Sequence, residues 1–145
     1  MDDENAEPSS NPQPTKQTGP AGPSPLAPGT WTLATDPSSI PSLIDGLFAH
    51  LWMVRTFVKH APEAEDFPEL MQVVRAIFDA SRAIEAHRED PADYLRMVKK
   101  KRAKLRAAAE QFKKDAPLAS DHTNFKMAVR SLEASLDDLD RLLSR

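Results

Sequence analysis

The sequence predicts an all-α protein: an antiparallel four-helix bundle with helices over about 39–60, 67–88, 91–114 and 120–144, preceded by a disordered Pro-rich arm. Three observations predict it. From Ser38 onward apolar residues recur at three- and four-residue intervals, the repeat of one helix face. The prolines after Pro41 are Pro62, Pro68, Pro91 and Pro117, which interrupt that repeat and leave short connections between its segments. No stretch reads as a credible strand.

The arm comes first. Nine of the 13 prolines lie at or before Pro41, as do three of the four glycines. The chain opens "MDDENAEPSS", acidic and polar, and stays rich in Ser, Thr, Gln and Asn. So few large apolar side chains cannot bury enough surface to offset the entropy lost on ordering. Residues 1–36 therefore read as a disordered acidic tail, and 37–145 as the bundle domain.

The first helix takes Ser39 as its N-cap, tolerates Pro41 in its first turn and carries the seam Ile40, Ile44, Leu47, Leu51, Val54 and Val58. The second follows "DFPE", where Asp66 and Glu69 have the spacing of a capping box, and buries Leu70, Val73, Val74, Ile77, Ser81 and Ile84. The third opens at "DPAD", with Asp90 as N-cap and Pro91 in the first helical position, and ends just before Pro117. Its stripe is Tyr94, Val98, Leu105, Ala108 and Phe112. The fourth starts at Ser120 or Asp121 and has the seam Phe125, Val129, Leu132, Leu136, Leu139 and Leu143.

Composition narrows the chemistry. The chain contains no cysteine, so disulfides, thiolate metal sites and a cysteine nucleophile are excluded. Its most apolar run, "LFAHLWMV", is broken by His50 and far short of the roughly 20 residues that span a bilayer. A soluble cytoplasmic protein with no membrane partner is expected. No Glu precedes a His by three, as di-iron bundles require, and neither His-Glu-x-x-His nor a Gly-rich phosphate loop is present. The residues that follow His50 and His122 do not match phosphotransfer domains. Neither an enzyme nor a cofactor is expected.

Three surfaces remain as candidates. Trp52 and Met53 fall outside the seam of the first helix, and large apolar residues there either receive a second layer or mark an interface. Trp31 and Leu33, just upstream, are available as that layer, and Arg55 at the margin of the seam ties helices together. The second surface is basic: residues 96–114 hold nine basic side chains against the single acid Glu110. Arg96, Lys99, Lys100, Lys104 and Arg106 form an alternative site for an anionic polymer such as nucleic acid. No aromatic residue interleaves with them, and an antiparallel fourth helix sets Glu133, Asp137 and Asp138 opposite Arg96 to Lys101, partly masking the charge. Lys101 lies within the apolar sector and either snorkels outward or pairs between helices. Third, His60 lies level with Asp121 and His122, with Glu63 or Glu65 near, a weak zinc-type cluster at helix ends. The function expected from these readings is a non-enzymatic interaction or assembly module that binds a protein partner or self-associates. An anionic-polymer binder is the second reading and a small metal-binding helical protein the third.

Overall fold

The computed structural model describes residues 37–145, and among these the protein is all-helical with no strand. The expectations for the arm, and for Trp31 and Leu33, lie outside the described residues. A 3-10 turn, Pro37–Ser39, leads into α1 (Ile40–His60). The single-turn α2 (Glu63–Asp66) and a second 3-10 turn, Pro68–Leu70, connect it to α3 (Met71–Glu85), followed by α4 (Pro91–Ala119) and α5 (Thr123–Leu143). Among the described residues no helix is long and apolar enough to cross a membrane.

The second helix departs most from its expected bounds. Asp66 does not cap a helix at 67: it ends α2, and α3 starts at Met71 without a side-chain cap. The cause is Pro68, whose ring crowds the preceding residue and holds Phe67 at φ −129°, ψ 74°, outside the helical region. At its other end the helix stops at Glu85, and turns occupy the chain up to Asp90.

The third helix is longer than expected, because Pro117 lies inside the last turn of α4. A proline so close to a C-terminus deletes one backbone donor with little chain left to disturb, and Ser120 N–H still closes the turn on Ala116 O at 3.0 Å. The fourth then starts later, at Thr123, with His122 as N-cap in place of Ser120 or Asp121. His122 Nδ1 accepts from Asn124 N–H at 3.1 Å, and Ser120 Oγ accepts from His122 N–H at 3.1 Å. The Asp90 cap forms as the sequence indicates: its Oδ1 accepts from Ala92 N–H at 2.9 Å and from Asp93 N–H at 3.3 Å.

α1 packs on α3 and α5, and α4 packs on the same two helices. Most of the expected seam residues make the core between them, with Ile44, Val58, Ile77, Val98 and Leu139 completely enclosed, but Leu47, Ser81, Ala108 and Val129 are only half-buried and Ala80, Ala109 and Ala128 are buried in addition. Burying a side chain of this size stabilises by ~1.5–3 kcal/mol, so these seams dominate the folding free energy. Phe57 on α1 and Phe125 on α5 meet edge to face, ring centroids 5.1 Å apart.

One polar knot ties the ends together. Tyr94 on α4 is buried, and its hydroxyl donates to Asp45 Oδ1 on α1 at 2.7 Å. Arg88, in the segment between α3 and α4, donates to the same oxygen at 3.1 Å. Burial, and after it the hydrogen bond to Asp45, raises the Tyr94 pKa well above that of a free phenol.

Candidate functional site

Consecutive residues of a helix point about 100° apart, and Trp52 and Met53 have different surroundings on α1. Trp52 leans toward α3, where its ring centroid lies 6.3 Å from that of Phe78, with the planes tilted by 37°. Arg55, nearly one turn on, lays its guanidinium carbon 4.3 Å from the Trp52 centroid and 5.2 Å from that of Phe78. Among the described residues, Phe78 and Arg55 lie over Trp52. Both rings remain part-open, Trp52 at 39% and Phe78 at 40%. Met53, 65% exposed, faces elsewhere and lines the rim of a cleft at the far end of α1.

Arg55 has unusual electrostatics. Its Nε is shielded from water and donates to nothing, and the guanidinium forms no ion pair among the described residues. A shielded donor left unpaired costs ~1–3 kcal/mol, and a half-exposed guanidinium over aromatic rings recovers ~0.5–2 kcal/mol, so the rings offset part of the missing acceptor. Lys59 follows Arg55 by one turn of α1. Arg75 and Arg82 stand three residues before and four after Phe78, the spacings that make neighbours on a helix surface. All three are exposed and without an ion pair among the described residues. Asp79 is the acid beside Phe78, and it sits toward α4, in a cleft shared with Arg75 and Lys104.

Sequence reasoning missed Phe78. A signal was present: Phe78 lies off the Val74, Ile77, Ser81 line of its helix as Trp52 lies off the seam of α1.

The basic helix divides along its length and around its circumference. Lys113 Nζ meets Glu133 at 2.7 Å, Arg106 meets Asp137 at 3.0 Å and Asp140 at 2.7 Å, and Arg102 Nε lies 3.4 Å from Asp140. Burial works to lower the Arg106 pKa, but hydrogen bonds to Asp140 and Asp137 outweigh it and the value rises. The Glu133 hydrogen bond likewise raises that of Lys113. This register differs from the expected one, in which Arg96 to Lys101 faced Glu133, Asp137 and Asp138. Because α4 runs past Pro117 before the chain reverses, the α5 acids meet residues 102–113, and Asp138 pairs with Arg141 of its own helix. Arg96 is held by Asp93. Lys99, Lys100, Lys101 and Lys104 form no ion pair among the described residues, so the masking expected for this part of the run is missing. Of the five basic residues in the alternative site, Arg96 and Arg106 are engaged and three are open.

His60 and His122 line one cleft of about 500 Å³ with Glu63, Met53 and Asn124. Asp121 lines a different, smaller cleft between α4 and α5 with Pro117 and Lys126. Among the described residues no group of three or more His, Cys, Asp or Glu side chains is placed to hold a metal ion.

No protein-family model matches the chain, and no curated protein or solved structure matches it.

Proposed function

We propose that this protein is a non-catalytic interaction module, an antiparallel four-helix bundle of α1, α3, α4 and α5 that holds a protein partner against its Trp52–Phe78 face. The bundle reading is supported by the ion pairs between α4 and α5, whose residue numbers rise on one helix as they fall on the other, from Lys113–Glu133 to Arg102–Asp140. Asp45–Arg88 and Trp52–Phe78 run in opposite order between α1 and the segment from α3 onward in the same way. The observation that carries the functional reading is the part-open aromatic pair capped by an arginine with no carboxylate partner among the described residues. Trp and Arg are the side chains that most often anchor protein interfaces, because each removes a large area from water while directing a polar contact.

Trp52→Ala with Phe78→Ala tests it. Proteins captured from lysate by the wild-type chain should be retained by Met53→Ser and lost by the double variant, and a purified captured partner should bind with the same dependence. Equal retention by all three chains would remove this face from consideration. The second reading, an anionic-polymer site on α4, is favoured by open Lys99, Lys100 and Lys104 but weakened by the engagement of Arg96 and Arg106.

A further inference from the structure

Four cations lie on the α1 and α3 surfaces that flank the aromatic pair, Arg55 and Lys59 on α1 and Arg75 and Arg82 on α3, and none of them forms an ion pair among the described residues, while Arg75 also lines the cleft toward α4 with Asp79. The other side of the molecule is different, since there Arg102, Arg106 and Lys113 each have an acidic partner on α5. Arg55 is the best prepared of the four. Its guanidinium is stacked on two rings and its Nε is already removed from water, so a carboxylate arriving at the terminal nitrogens meets a plane that is held in position and partly dehydrated. A planar fork of this kind suits the two oxygens of a carboxylate, and the part-open edges of Trp52 and Phe78 offer apolar area beside it.

Resting on the reading of this face as the docking surface, we infer that its occupant is an acidic peptide segment of a protein partner. One carboxylate pairs with Arg55, others meet Lys59, Arg75 and Arg82, and an interspersed apolar side chain covers the ring edges. Nucleic acid fits less well, because base stacking needs an open ring face and the Arg55 guanidinium occupies one over Trp52. The positive charges span about 10 Å along α3, seven residues at 1.5 Å each, a distance that a few extended peptide residues cover.

Fluorescence anisotropy on the full chain tests this with three labelled probes: a peptide of about ten Glu, Asp and Leu residues, enough to cross the face; its Gln and Asn counterpart; and a single-stranded oligothymidine. The acidic peptide should bind, and both Arg55→Gln and the pair Arg75→Gln with Arg82→Gln should weaken it about tenfold or more, the scale of a lost charge-assisted contact. Arg55→Lys should weaken it too, because an ammonium keeps the charge and loses the fork. Lys99→Gln with Lys100→Gln should leave it unchanged.

Four results overturn the inference. If the Gln and Asn peptide binds as tightly and Trp52→Ala with Phe78→Ala loosens it, the docking face stands and the acidic partner does not. If no peptide responds to Trp52→Ala with Phe78→Ala, the face itself fails. Tighter binding of oligothymidine, lost in Arg55→Gln, makes the occupant a nucleic acid. Dimerisation in sedimentation that is lost in Arg55→Gln makes it a second copy of the chain. Circular dichroism checks each variant for folding, and if Arg55→Gln unfolds, the exposed Arg75 and Arg82 pair decides.

Discussion

Replacing Tyr94 with Phe isolates a single hydroxyl in an otherwise unchanged core. The ring is enclosed, at 2% exposure, and phenylalanine fills the same volume, so no cavity term enters. What is lost is the 2.7 Å hydrogen bond to Asp45. Bonds to a charged acceptor contribute ~1.5–3 kcal/mol, and the lower end applies because Asp45 keeps Arg88 at 3.1 Å and water reaches its side chain, which is 38% exposed. The expected loss is therefore about 1.5 kcal/mol, a fall in melting temperature of about 6 °C for a domain of this size. Denaturant unfolding at neutral pH should show the midpoint move with an unchanged slope.

The pH dependence gives the same substitution a second signature. Burial and then Asp45 raise the Tyr94 pKa from its ordinary 10.0, so the folded state holds this proton more tightly than the unfolded chain. The resulting stability is fully present below pH 10 and is lost as pH rises from there toward the folded-state value. Wild type should therefore lose stability above pH 10 more steeply than Tyr94→Phe. Equal stability at neutral pH together with parallel alkaline profiles would refute the reasoning, because the buried phenol would then contribute nothing through Asp45.

Two further substitutions probe the helices directly. Gly46 lies within α1, and a Cβ built there meets nothing within 4 Å, so Gly46→Ala should stabilise by ~0.5–1 kcal/mol in thermal or denaturant unfolding through reduced backbone freedom in the unfolded chain. Ile77 is wholly enclosed at the centre of α3, and Ile77→Ala should cost ~2–5 kcal/mol in the same assays, a large part of the stability of a single domain.

The sequence by itself determined where helix can form and which side of each helix is apolar, because both depend on residues within a few positions of one another. The seam from Ile44 to Val58 and the one from Phe125 to Leu143 are legible as spacing alone, and so is the Asp90 cap with Pro91 behind it. Local signals also produced the misreadings. The Asp66 and Glu69 spacing imitates a capping box, but Pro68 acts on Phe67 and overrides it, while Pro117 interrupts too little of the last turn to stop α4. Displacing the reversal from Pro117 to Ser120–His122 shifted the register of α5 against α4, and with it the choice of which cations are neutralised. The candidate site was legible in part, since Trp52 stands off its seam in the sequence. Only the tertiary structure set Phe78 against it, joined Asp45 to Tyr94 across 49 positions, and separated Asp121 from the cleft that His60 and His122 share. The physical reason is common to these cases: each depends on the packing register between helices distant in sequence, which is set by the summed fit of their buried side chains and connections and is not encoded at any one position.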